Sequence, residues 1–242
     1  MTAQELANIL KGRDIDCELD ERHKMVKLNK LGNVAELESF KAGLFTIQDI
    51  TSSSVVPLLN PQAGWKVFDI CAAPGTKTTQ IAEVMSDKGL VIATDKDSSR
   101  LARVDENVKR LGITSVKTMS YDVFLKEADK FSPADAVLLD VPCSNTGVMA
   151  KRPEVRLRLD KKRVEELAKI QIGLLEQSCE LVKKGGKICY STCSILNQEN
   201  EGVVERFLAE TKDFELESQR IFLPSAENFD CDGCFAAILI KK

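Results

Sequence analysis

The sequence carries a single histidine, His23, in 242 residues. Cys231 and Cys234 form a lone C-x-x-C, but a zinc site needs four ligands and His23 is remote in sequence, so no metal is assigned. Long apolar runs are missing as well. None approaches the roughly 18 residues that a membrane span requires. The amino-terminal stretch MTAQELANILKGRDIDCELDE has neither the basic start nor the apolar core of a secretion signal. These absences point to a cytoplasmic protein that makes no membrane contact. An excess of basic charge is absent too: the net charge is −3 and the sequence pI about 5.5, which argues against non-specific nucleic-acid binding by bulk charge. There is no internal repeat, no low-complexity segment, no G-x-G-x-x-G and no G-x-x-x-x-G-K-[ST].

What remains is an ordinary soluble composition, 43% hydrophobic and 29% charged, in a chain long enough for one sizeable core and a small appendage. The eight cysteines read as free thiols of a reducing compartment rather than as disulfides. Cys71, Cys179 and Cys189 sit in apolar contexts, where cysteine packs as a small hydrophobe.

Thr2 and Glu5 make a capping-box pattern that starts a helix ending near Gly12. CELDERHKMVKLN reads as two strands around a polar turn. Residues 1–42 form this small element, and the texture changes at GLFTIQD for residues 43–242. There, apolar strands alternate with amphipathic helices, as in a doubly wound α/β sheet. The strands are KVFDICAA, GLVIATD, SVKTMSYD, ADAVLLDVP and GKICYSTCS. A long helix from about Asp160 to Val182 precedes the fifth of them. FELESQRIFLP and CFAAILIKK follow the helix ENEGVVERFLAE as late strands, forming an antiparallel hairpin at the sheet edge.

Ligands of such sheets bind at the carboxyl ends of the strands. DICAAPGTKT offers small residues and Gly75 for a tight strand-to-helix turn. Asp95 ends the second strand, placed for two ribose hydroxyls, and Asp122 ends the third, within reach of an adenine amino group. A small-residue turn without a phosphate cradle, together with two acids for an adenosine, suits S-adenosylmethionine. At the fourth strand, Cys143 follows Pro142, where methyltransferases acting on exocyclic amines tend to carry an aromatic. A thiol there, or the thiol Cys193 in STCSILNQENE, suggests covalent attack on carbon 6 of a pyrimidine, which makes carbon 5 nucleophilic. Asp140, by holding the ring nitrogen 3 and the amino group, would stabilise the charge that develops. Spacing leaves open which of the two thiols attacks.

The segments DICAAPGTKTTQIA, LLDVPCSNTGVMAKRPEVR, YSTCSILNQENE and DGCFAAIL, with GLFTIQD before them, resemble the successive motifs of the Sun (Fmu) family of RNA cytosine-5 methyltransferases, over some four-fifths of the chain. The resemblance implies a class I, Rossmann-like methyltransferase with a seven-stranded mixed sheet, acting on cytosine carbon 5 in RNA. It implies Cys193 as the nucleophile and Cys143 as the thiol that assists release of the covalent product. Cys71, Ala72, Ala73, Pro74, Gly75, Thr76 and Lys77 would line the cofactor site, with Asp95 at the ribose and Asp122 at the adenine. Asp140 would stand between cofactor and base, and Lys151 near the target base. The run KRPEVRLRLDKKR, seven basic residues against two acidic, then becomes an RNA-backbone face. Ribosomal RNA is the expected substrate and transfer RNA the runner-up. A non-catalytic RNA-binding or assembly factor of the same fold is a third reading, and a methyltransferase for a small molecule or protein a fourth. A monomer is expected. Residues 1–42 would be a remnant RNA-binding subdomain, with a separate partner or the folded RNA supplying recognition, or the chain would be a shortened form of a longer protein. Four positions depart from the family pattern. Thr76 stands for Gly with its side chain expected to face solvent, Asn197 stands for Pro in a looser loop, Val141 stands for a smaller residue, and Cys234 stands for an aromatic.

Overall fold

The structure is a computed structural model that describes residues 1–29, 32–224 and 231–242. Helix α1 (Ala3–Lys11) begins at the Thr2 capping box and ends at Gly12. It packs on the antiparallel pair β1 (Cys17–Asp20) and β2 (Met25–Leu28). Ala7, Leu10, Cys17 and Phe45 form the core of this element. Arg110 fastens the segment that follows: its guanidinium lies 3.8 Å from the Phe40 ring centroid and donates to the carbonyls of Phe40 and Phe45, both at 2.9 Å. Three short helices lead into the sheet, α2 (Glu38–Lys41), α3 (Ile50–Ser53) and α4 (Val55–Leu59).

The main body runs β3 (Lys66–Asp69), α5 (Thr76–Val84), β4 (Leu90–Asp95), α6 (Ser98–Arg110), β5 (Val116–Ser120), α7 (Tyr121–Phe131), β6 (Ala134–Asp140), α8 (Val155–Arg158), α9 (Lys161–Ser178), β7 (Val182–Thr192), α10 (Glu201–Glu210), β8 (Phe214–Phe222) and β9 (Cys234–Lys241). The seven-stranded sheet has the order β5-β4-β3-β6-β7-β9-β8. The first five strands are parallel, and β9 runs antiparallel to both β7 and β8. This is the mixed Rossmann-like sheet expected from the sequence. Strand order reverses between β3 and β6, and that crevice is where such sheets hold ligands. Apolar side chains cover both faces: Phe68, Val137, Leu139, Ile188 and Tyr190 on one, and Val67, Ala136, Leu138 and Cys189 on the other. Burial on both faces explains why the central strands read as unbroken apolar runs.

Three expectations are corrected. The third strand stops at Ser120, and Tyr121 and Asp122 open helix α7 instead of ending the strand. Ser120 takes extended geometry as its N-cap, Asp122 sits favourably in the first turn, and Phe124 is the buried anchor. The long helix ends at Ser178, and β7 begins at Val182, because Gly185 in the left-handed region (φ 74°) lets the strand bulge and rejoin β6 at Lys187. Thr76 does not face open solvent but is half-buried against the cleft described next.

Candidate active site

Strand register brings the two cysteine loops together. Asp140 of β6 lies beside Ser191 of β7, and the Val141 amide donates to the Ser191 carbonyl at 3.0 Å. Both loops therefore leave the carboxyl end of the sheet side by side, and Cys143 Sγ comes within 3.1 Å of Cys193 Sγ. The segment entering β9 closes a third side. The Gly147 amide donates to the Cys193 carbonyl at 2.9 Å, and the Gly233 amide to the Gly147 carbonyl at 2.8 Å. A Cβ on Gly147 would lie 2.2 Å from the Gly233 oxygen, so glycine is required where the three backbones meet.

A cleft of about 310 Å³ opens here, lined by Thr76, Lys77, Asp140, Thr192 and Cys193 with Asp49, Asp232 and Cys234 at its borders. Lys77 Nζ lies 2.7 Å from Asp140 Oδ2. Burial works against its charge, yet the Asp140 carboxylate outweighs it and holds the ammonium above its ordinary range. Cys143 is buried. Its hydrogen bond with Cys193, reinforced by burial, pushes the Cys143 thiol well up, so it keeps its proton near neutrality. Cys193 is half-buried and faces the cleft. Burial pushes Cys71 up and Cys234 up to about 12, so neither is a nucleophile at neutral pH.

The turn after β3 packs tightly on helix α6. Gly75 sits at φ 100°, where a Cβ would press on Val104 at 3.0 Å. Asp95, buried, accepts from the amides of Ala73 at 3.2 Å and Asp97 at 3.0 Å, with Arg100 at 3.7 Å. Asp69, fully buried, takes a hydrogen bond from Thr78 at 2.6 Å, and its Oδ1 has no partner. Burial raises its carboxyl to about 7. Folded protein therefore holds a proton on Asp69 that the unfolded chain loses near pH 4. This contribution to stability falls as pH rises from about 4 to about 7 and is level above that. Asp69→Asn is expected to flatten the dependence of melting temperature on pH across that window, a change on the order of a few kcal/mol. Calorimetry of both proteins at several pH values checks it.

The remaining predicted residues divide. Cys71, Ala72, Ala73 and Pro74 lie in the turn with Gly75, Thr76 and Lys77, as placed by the sequence. Asp122 is exposed on the first turn of α7. Lys151 stands at the rim, held by Asp49 at 2.7 Å and Asp232 at 3.1 Å. Hydrogen bonds from Lys151 and Thr51 outweigh burial and hold Asp49 below the usual carboxylate range, while burial raises Asp232. The basic run beyond Lys151 is exposed, with Leu157 at 89% exposure and Arg158, Lys162 and Arg163 around a shallow cavity. Among the described residues, no group of three or more His, Cys, Asp or Glu side chains could hold a metal, and no helix is long and apolar enough to cross a membrane.

Sequence reasoning missed the polar scaffold beneath the thiols. Glu199 is fully buried and accepts from the Ser144 amide at 2.8 Å, from the Ser144 hydroxyl and from Gln171 Nε2 at 3.2 Å. Gln171 also holds the Pro142 carbonyl at 3.0 Å. Asn200, fully buried, bonds Thr192 Oγ1 at 2.7 Å and the Ser194 carbonyl at 3.0 Å. Asn197 opens a 3-10 turn in the loop after Cys193. The only sequence signal was the cluster NQENE, which reads as surface until burial is known.

The family model of the 16S rRNA methyltransferase RsmB/F matches residues 56–235. The chain is 35% identical, over 235 residues, to the ribosomal RNA small subunit methyltransferase B of Proteus mirabilis (strain HI4320), covering 97% of this chain and 55% of that one. It aligns with the crystal structure of PH0851 at a TM-score of 0.92 and 33% identity, covering 100% of this chain and 57% of that one. It aligns with NSun6 from Pyrococcus horikoshii with SFG at 0.78 and 33%, covering 90% and 59%. The chain spans about half the length of the curated relatives it matches.

Proposed function

Because the chain belongs to the 16S rRNA methyltransferase RsmB/F family, we propose that it methylates carbon 5 of a cytosine in RNA, with S-adenosylmethionine as donor and ribosomal RNA as substrate. The observation that carries this reading is the pair of thiols at 3.1 Å, beside the Lys77–Asp140 ion pair, on a cleft that runs to the small-residue turn. The turn suits the cofactor: Pro74, Thr76 and Lys77 reach the cleft, Asp95 offers a carboxylate to the ribose, and the unpartnered Asp69 oxygen lies beneath. Asp122, on α7, takes the adenine edge. SFG, an analogue of S-adenosylmethionine, in the NSun6 neighbour supports this choice.

Cys193 adds to carbon 6 of the cytosine, forming a C–S bond and moving the ring π electrons toward carbon 5 and nitrogen 3. Asp140, steadied by Lys77, accepts from the amino group and relays the Cys193 proton to nitrogen 3, which neutralises that shift. When bound, S-adenosylmethionine supplies an electrophilic methyl group. The carbon 5 proton then leaves to water, carbon 5 and carbon 6 regain their double bond, the C–S electron pair returns to sulfur, and the proton on nitrogen 3 returns to Cys193. Cys143 assists this release. The target base leaves its stack to reach the cleft, which favours a loop or an opened site. The basic face from Arg152 to Arg163 holds the RNA backbone, and Lys151 steadies the rim.

Protein incubated with methyl-labelled cofactor and total RNA should place 5-methylcytosine in ribosomal RNA, read by bisulfite sequencing. Label in transfer RNA alone would move the substrate, and label that survives ribonuclease would overturn the reading. Cys143→Ala is expected to accumulate a covalent RNA adduct, seen as a shifted band that resists denaturing electrophoresis.

A further inference from the structure

Asn145 lies between the two thiols and is used in a way its backbone position does not require. It precedes the 3-10 turn Thr146–Val148 in the left-handed region (φ 61°, ψ 27°), yet its side chain does not cap that turn. Instead Nδ2 donates to the Cys143 carbonyl at 3.1 Å, and Oδ1 accepts from Cys193 Sγ at 2.8 Å. The amide can face only this way, because a carbonyl oxygen is satisfied by the NH₂ end and not by another oxygen. Each thiol has one proton to give. Cys193 gives its proton to Asn145, so in the 3.1 Å contact Cys143 is the donor and Cys193 the acceptor. The result is a directed chain, Cys143 to Cys193 to Asn145, closed back onto Cys143 by the amide. It links the loop after β6 to the loop after β7 at the one atom that reacts.

We propose that Asn145 is a positioning residue for Cys193: it takes the S–H, holds the sulfur against Cys143 while no base fills the cleft, and fixes Cys143 as the donor of the thiol pair. The assignment rests on Cys193 being the nucleophile. It gives the site a resting arrangement in which the reactive sulfur is engaged on two sides and released by the arriving base, which displaces the S–H from the amide.

The test is the rate at which iodoacetamide labels Cys193, iodide leaving as the S–C bond forms, followed by peptide-resolved mass spectrometry without RNA or cofactor. Glycine takes φ near 60° without strain, so Asn145→Gly deletes the side chain and spares the turn. It is expected to speed Cys193 labelling by about threefold or more, the worth of one lost hydrogen bond. Asn145→Asp gives up the bond to the Cys143 carbonyl but offers the S–H a charged acceptor, a bond roughly twice as strong, so it is expected to slow labelling. Opposite signs are the signature of the S–H bond, because a general loosening of the loop would speed both. Labelling of Asn145→Gly at the wild-type rate, or acceleration in both variants, overturns the proposal. Should only Asn145→Asp fold, slower labelling supports the proposal and faster labelling overturns it; should only Asn145→Gly fold, faster labelling of Cys193 with buried Cys143 still unlabelled supports it, and faster labelling of both thiols overturns it. An outcome in which labelling behaves as expected while no methyl group enters RNA would count against the proposed function and leave the role of Asn145 intact.

Discussion

Cys193→Ala is expected to abolish methyl transfer, lowering kcat/KM by about 10⁴-fold or more, the scale on which nucleophile deletions fall, and to form no covalent RNA adduct. The size follows from the chemistry. Carbon 5 of a cytosine is a poor nucleophile, and no group left in the cleft replaces the electrons that sulfur lends the ring. Lys77 and Asp140 would still hold the base, but they only stabilise a charge that no longer develops. Cys143 cannot take over: even without Cys193 beside it, burial keeps its proton on. Because Cys193 is half-buried at a cleft rather than packed in the core, the variant should keep its fold and bind cofactor, which calorimetry can verify alongside the transfer assay. Activity within tenfold of wild type, or an adduct in this variant and none in Cys143→Ala, would mean that the two thiols have exchanged roles.

Gly147→Ala should destabilise the protein by about 3 kcal/mol or more, as overpacking against backbone does at a rigid site. For a chain of this size that is a loss of about 6–12 °C in melting temperature. The added methyl would meet the Gly233 oxygen at 2.2 Å, the Gly233 carbonyl carbon at 2.6 Å and the Cys193 oxygen at 2.8 Å. None is a flexible side-chain end that could swing aside. Relief requires the β9 entrance or the Cys193 loop to move, so activity should fall with stability. Gly173→Ala is the matched control, since nothing lies within 4 Å of its added carbon and it sits in helix α9. It is expected to stabilise by about 0.5–1 kcal/mol. Equal melting temperatures for Gly147→Ala and wild type would show that the three-way junction yields more readily than its geometry indicates.

Local chemistry made much of this legible in advance. Thr2 and Glu5 announced their helix because both partners of a capping box lie within four residues. Asp140, Cys143 and Cys193 stood out because apolar strands ended abruptly at small and polar residues. Helix α7 was hidden because VKTMSYD continues the alternation of β5 past Ser120, while the anchor that settles the matter, Phe124, acts through a tertiary contact with Phe68. Glu199 and Asn145 were hidden for a deeper reason. Each looks like surface in sequence, and its role exists only once the β6–β7 register has set the two loops side by side. The Lys77–Asp140 pair spans 63 residues and was invisible to spacing for the same reason.

Strand β9 follows β8 in the chain yet lies between β7 and β8 in the sheet. On the ribosome, β8 is therefore made before it has anything to pair with, and β7 keeps a bare flank of apolar residues until residue 234 and its successors emerge. A nascent chain can assemble the five parallel strands, but the β9-facing side of Ser191 and Thr192 stays unpaired, and Gly233 is not there to lock Gly147. Translation thus makes the five parallel strands first and completes the junction at Gly147 last. The interval between them is when this protein is most exposed to sticking to its neighbours through β7.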